Sequence, residues 1–170
     1  MARTTLPMTD LTYRAPSTEV RESPIHGRGL FARNAIAKGE IVAVKGGHVL
    51  TGPEWRALEP TLGSAEIQIA EDLFIAPVDR DERHGCMLYV NHCCDPNCEP
   101  QIIRGRVFIV AIRAIRPGDE LGFEYNIGRE DDDPPNVDDI YACRCGARQC
   151  RGTILWPPRL PKKAAHARPA

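Results

Sequence analysis

A chain of 170 residues, 42% hydrophobic and 26% charged, lies near the average for folded water-soluble proteins and is long enough for one core rather than two. Its formal net charge of -1 argues against the broadly basic surface that grips nucleic-acid backbone. No stretch approaches the ~20 apolar residues of a membrane span, and the N-terminal stretch lacks an apolar leader segment, so a soluble intracellular protein is expected, with no membrane partner and no direct nucleic-acid binding.

Residues 1–17 are Thr- and Pro-rich without apolar periodicity and read as a tail. From residue 18 the chain is a series of short extended runs, "EIVAVKGGHVL" (40–50), "EIQIA" (66–70), "LFIAP" (73–77) and "QIIRGRVFIVAI" (101–112), broken by Gly, Pro and Asp. This predicts a mainly β fold. One short helix should begin at Thr51, where Glu54 three residues on completes a capping-box pattern and Pro53 is tolerated in the first turn; it should end near Pro60. Arg104-Gly105 divides two apolar runs and predicts a tight hairpin, with glycine supplying a positive φ, and "RPGDE" (116–120) marks another turn. The acidic stretch 129–139, containing "EDDDPPNVDD", reads as a solvated loop that could also steer a basic, lysine-rich peptide. Residues 157–170, "PPRLPKKAAHARPA", read as a basic Pro/Ala tail.

The seven cysteines carry the first chemical signal. In a reducing compartment thiols are more often free or metal-bound than paired, and an odd number cannot pair completely. "CRCGARQC" sets Cys143, Cys145 and Cys150 on a glycine-containing loop, where three thiolates can converge on one tetrahedral Zn2+ that still needs a fourth ligand. Cys86, Cys93, Cys94 and Cys98 are the candidates. Cys98 directly follows a Pro-Asn turn signal from which a side chain can project.

"NHCCDPNC" (91–98) resembles the N-H-S-C-x-P-N-C segment of SET-domain protein lysine methyltransferases. "GDELGFEYN" (118–126) is similar to that family's G-E-E-L-x-F-D-Y, "CRCGARQCRG" (143–152) to its post-SET zinc motif, and "HGRGLFA" (26–32) to its entry strand. The four motifs fall in family order across about residues 18–153. The resemblance implies several small β-sheets with a knot-like C-terminal crossing, in which the segment 91–94 passes against 120–125. It implies a SET domain over 18–128, the acidic loop 129–139 and a post-SET zinc segment over 140–156. It also places Cys98 with Cys143, Cys145 and Cys150 on zinc, and makes Cys94 a buried packing residue.

By the same resemblance the methyl donor is S-adenosylmethionine, held around Gly27, Arg28 and Gly29 and by Asn91 and His92, with Tyr125 lining the donor site and serving as the catalytic tyrosine. The acceptor is a lysine side chain of a protein or peptide, such as a histone or another basic protein. Lysine titrates near 10.4, so an apolar channel and a nearby sulfonium must disfavour its ammonium before it can attack. Phe123 lacks a hydroxyl that would hold water against the product amine, which implies di- or trimethylation. Trp156 and Tyr141 flank the cysteine array and are candidates for covering the donor or walling the lysine channel. The chain departs from the family at Leu88-Tyr89-Val90 and at Glu124, which replaces the usual aspartate, and the stretch 60–85 is short. The competing reading is a noncatalytic, zinc-stabilised peptide-binding module on the same fold.

Overall fold

The chain begins, in a computed structural model that describes residues 11–156, with a two-residue strand inside the stretch read as a tail. Strand β1 (Tyr13–Arg14) pairs antiparallel with Ala43 and Val44, and Thr12 is buried, so residues 12–14 belong to the fold and not to the expected tail. Composition hid this, because two paired residues are too few to show a period. The expected tail 157–170 lies outside the described residues, as do residues 1–10.

Each extended run becomes a strand. Next come β2 (Thr18–Glu22), β3 (Arg28–Ala32), β4 (Ile41–Val44) and β5 (His48–Thr51). Helix α1 (Gly52–Leu62) starts where the capping pattern put it: the Glu54 carboxylate accepts from both the backbone N–H and the hydroxyl of Thr51. The helix runs through Pro60 to Leu62, two residues beyond the expected end. After it come β6 (Ile67–Ala70), β7 (Leu73–Ala76) and helix α2 (Arg80–Cys86). The sequence offers α2 no apolar period; it is held instead by an Asp79 cap on the Glu82 N–H and, at its C-terminal end, by Thr12 and Lys45 donating to the Cys86 carbonyl. The remaining elements are β8 (Asn91–His92), β9 (Cys98–Ile103), β10 (Arg106–Ala111), β11 (Gly122–Phe123), β12 (Ile127–Gly128), α3 (Val137–Ile140) and β13 (Leu155–Trp156).

These strands form five small sheets, ordered β1-β4-β10-β9, β5-β7-β6, β2-β3, β8-β11 and β12-β13. The β9–β10 hairpin turns at Arg104 and Gly105, both with positive φ, as a two-residue loop requires. Alternation along β10 turns Val107, Ile109 and Ala111 inward, where they meet Leu30, Val42, Val90, Cys98, Leu121 and Phe123 in the main core. Full burial of a side chain such as Leu30 or Leu121 contributes ~1.5 to 3 kcal/mol. A smaller cluster, Trp55, Leu62 and Ala76, seats α1 on the β5-β7-β6 sheet.

Candidate active site and cysteine cluster

The crossing of two distant segments organises the site. β8 and β11 pair in parallel, with Asn91 opposite Gly122 and His92 opposite Phe123. Neither strand is long enough to hold itself, so side chains complete the join. Asn97 donates from Nδ2 to the Glu120 carbonyl at 2.8 Å, accepts the Gly122 N–H on Oδ1 at 2.9 Å, and gives its own N–H to the Gly122 carbonyl at 3.2 Å. Cys93 adds an N–H bond to the Phe123 carbonyl at 3.1 Å. The expected passage of 91–94 against 120–125 is therefore present.

On one side of this crossing lies the glycine turn. Gly27 has φ +49° and its carbonyl accepts from Ser23 N–H at 2.9 Å, which closes the turn before β3. A Cβ on Gly29 would fall 2.3 Å from Glu120 Oε1, so only glycine lets the Glu120 carboxylate pack there. Asn91, 9% exposed, turns its Nδ2 toward that carboxylate at 2.8 Å, toward Ser23 Oγ at 3.1 Å, and toward the His26 and Arg28 carbonyls at 3.2 and 3.3 Å. Ser23 in turn donates to Glu120 at 2.8 Å. Asn91 thus stitches the Gly27-Arg28-Gly29 turn to β8, while the Arg28 guanidinium leaves the turn and packs 5.2 Å from the Tyr89 ring. Sequence reasoning gave no role to Ser23 or Glu120. Glu120 lay inside a quoted motif, whereas nothing local marked Ser23.

On the other side stand His92 and Tyr125. His92 is 3% exposed, and burial pushes its titration down despite the neighbouring Glu124 carboxylate. In the neutral ring Nδ1 accepts the Tyr125 backbone N–H at 3.3 Å, and Nε2 faces Cys94 Sγ at 3.3 Å. The Tyr125 hydroxyl donates to the Val90 carbonyl at 2.9 Å, and burial pushes it up to about 12, so the phenol stays protonated. Its ring stands edge-on to His92 at 5.5 Å and tilted against Phe123 at 5.0 Å. Phe123 is buried in the main core at the foot of this wall.

Cys94, Cys143, Cys145 and Cys150 bring their four sulfurs within 4.8 Å of one another. Cys98 does not join them, which corrects the expected ligand set. Cys98 lies on β9 opposite Ala111 and is 1% exposed among core side chains, and burial pushes its thiol up to about 12. Strand alternation turns it inward, whereas Cys94 precedes the Pro96-Asn97 turn and faces the cysteine loop. The exchange reverses the two roles that the resemblance implied.

The donor set fits a tetrahedral zinc ion. Zn–S bonds of ~2.3 Å place sulfurs ~3.8 Å apart, and Cys94 and Cys143 stand at 3.8 Å. Burial opposes ionisation of Cys145, but backbone N–H groups of Cys94 and Ala147 with the thiols of Cys143 and Cys150 outweigh it, drawing Cys145 down to about 7. N–H groups of Arg151 and Gly152 lie 3.5 Å from Cys94 and Cys150 sulfurs, as thiolate ligands favour.

The loop returns to the crossing through β13, which pairs in parallel with β12, Leu155 opposite Ile127 and Trp156 opposite Gly128. That pairing begins two residues after Tyr125. Trp156 is 49% exposed with the Arg151 guanidinium 5.1 Å from its ring, while Tyr141 serves through its carbonyl, which accepts from Ile154 and Thr153. The acidic stretch remains mostly exposed apart from Val137 of α3, which is buried.

Comparison with known proteins agrees with this geometry. Residues 27–126 match the SET domain. The chain is 32% identical over 158 residues to the histone-lysine N-methyltransferase, H3 lysine-4 specific, of Saccharomyces cerevisiae, covering 88% of this chain and 14% of that protein. It is 31% identical to the protein of the same description from Eremothecium gossypii, covering 88% and 16%. To the histone-lysine N-methyltransferase trithorax of Drosophila melanogaster it is 32% identical over 141 residues, covering 78% and 4%. The chain therefore spans about a sixth or less of the length of these relatives.

Proposed function

Because the chain belongs to the SET-domain family, we propose that it is a protein lysine N-methyltransferase that carries methyl groups from S-adenosylmethionine to a lysine side chain. The observation that carries this reading is the β8–β11 pairing, which sets Asn91 and His92 beside Phe123 and Tyr125. Bound S-adenosylmethionine supplies an electrophilic methyl on a sulfonium. The surrounding residues have the remaining tasks: to hold the donor, strip water from the amine and align it.

Gly27, Arg28 and Gly29 offer backbone to the donor, with Asn91, which joins that turn to β8, and His92 completing the site and Tyr125 beside them. The Glu120 carboxylate beside Asn91 adds a negative group that favours a cationic donor over its neutral thioether product. The apolar wall of Phe123 and Tyr125 disfavours a lysine ammonium, so the amine can enter uncharged without a strong base. Tyr125 keeps its proton and presents its hydroxyl oxygen to orient that amine. Alignment at ~3 to 3.5 Å supplies much of the barrier reduction. Phe123, without a hydroxyl, leaves room for a second and third methyl. Cys94, Cys143, Cys145 and Cys150 would hold zinc, whose task is to order the loop returning through β13.

The acceptor is a lysine in a basic protein inside the cell, and the histone H3 tail is the first to test, given the names of the relatives. The exposed carboxylates of 130–139 favour a basic chain. The decisive experiment incubates the protein with isotopically labelled S-adenosylmethionine and an H3 N-terminal peptide, with mass spectrometry of the product. Di- and trimethyl-lysine are expected, and they should be lost in Tyr125→Phe. Equal turnover in Tyr125→Phe removes that residue from the chemistry, and no transfer to any basic peptide overturns the reading.

A further inference from the structure

Arg151 joins the cysteine cluster to the catalytic wall; it lies inside the stretch that resembles the post-SET motif, but that resemblance gave it no role. It follows Cys150 directly, and its backbone N–H points to Cys94 Sγ at 3.5 Å. Its guanidinium crosses to the other segment, where Nη1 donates to Glu124 Oε2 at 2.6 Å, with the two side chains only 16% and 22% exposed. Nε and Nη2 are buried and have no hydrogen-bond partner among the described residues. A half-satisfied buried cation is costly unless nearby negative charge offsets it. Four thiolates around a divalent ion carry a net charge of about -2, and the guanidinium lies within electrostatic reach of Cys94 and Cys143.

Glu124 then passes the constraint to the residue that follows Tyr125. Its Oε1 accepts the Asn126 N–H at 3.3 Å, fixing a residue with φ +53°. A glutamate in place of the family's usual aspartate adds one methylene of reach, and its two oxygens accept from Arg151 and Asn126.

We propose that Arg151, through Glu124, is a positioning residue that couples the loaded cysteine cluster to the alignment of Tyr125. The metal site thereby sets how well the catalytic wall is ordered, besides holding its own loop. The inference rests on the methyltransferase reading for its kinetic consequence, but the coupling itself is observable without turnover.

The test compares Arg151→Gln, Arg151→Lys, Glu124→Gln and the Arg151→Gln/Glu124→Gln pair in the zinc-loaded full chain. Expected are a kcat loss of ~10- to 100-fold in each single glutamine variant, a KM for peptide within about threefold of the parent, partial recovery in Arg151→Lys, and a double variant no worse than the poorer single. Competition with a chromogenic chelator should show easier zinc loss in Arg151→Gln than in Glu124→Gln. In tyrosine-labelled NMR spectra, with the Tyr125 signal assigned by Tyr125→Phe, stripping zinc should shift that signal in the parent and leave it nearly unmoved in Arg151→Gln. Unchanged kcat in both single variants of a chain that turns over, or equal Tyr125 shifts in parent and Arg151→Gln, overturns the coupling. If the parent transfers no methyl group to any peptide, the functional reading falls while the NMR comparison still decides the coupling.

Discussion

Asn97 is the side chain on which the crossing of β8 and β11 depends most, so Asn97→Ala is the sharpest test of how the site is built. The substitution removes two hydrogen bonds to main chain, at 2.8 Å to the Glu120 carbonyl and 2.9 Å from the Gly122 N–H. Asn97 and Glu120 are partly exposed but Gly122 is buried, so the two bonds together are worth ~2 to 3 kcal/mol. For a chain of this size that lowers Tm by ~4 to 12 °C. Activity should fall further than stability at temperatures where the variant is folded, by ~10- to 100-fold in kcat, because Asn91 and His92 shift relative to Tyr125. The control is Arg113→Ala, which removes an exposed ion pair to Asp95 close by and should change stability by less than ~0.5 kcal/mol. Melting followed by circular dichroism, with peptide methylation on the same samples, measures both effects. A Tm for Asn97→Ala within 1 °C of the parent, or a loss no larger than that of Arg113→Ala, would refute the reasoning.

Three other outcomes are expected. Cys94→Ser should lose most of its zinc per chain by elemental analysis, whereas Cys98→Ser should retain the metal and lose ~1 to 3 kcal/mol of stability, because it buries a hydroxyl in an apolar core. Gly29→Ala should weaken donor binding tenfold or more by calorimetry, since the new methyl displaces the Glu120 carboxylate from Ser23 and Asn91. Lys45 gives a pH dependence: burial lowers its titration from 10.5 to about 8, so between those values the unfolded chain holds the extra proton and stability rises with pH. The gain is about 3 kcal/mol at most, and it should be absent from Lys45→Met when the two pH profiles of denaturant unfolding are subtracted.

Local chemistry made several features legible in the sequence. The capping pattern at Thr51–Glu54, the Arg104-Gly105 hairpin and the alternating apolar runs each depend on neighbours a few residues away, and each appears where the residues demanded it. The motif order likewise foretold that residues 91–94 would meet 120–125, and that three cysteines of the C-terminal loop would converge.

Tertiary structure alone chose between Cys94 and Cys98, because both flank the same turn and only the inward register of β9 consigns one of them to the core. It also revealed β1, whose two residues pair with the distant strand β4, and the roles of Ser23, Glu120, Asn97 and Arg151, whose partners lie 23 to 97 residues away. Periodicity and turn preference are properties of adjacent residues; a hydrogen bond between two remote segments is fixed by the packing of everything between them.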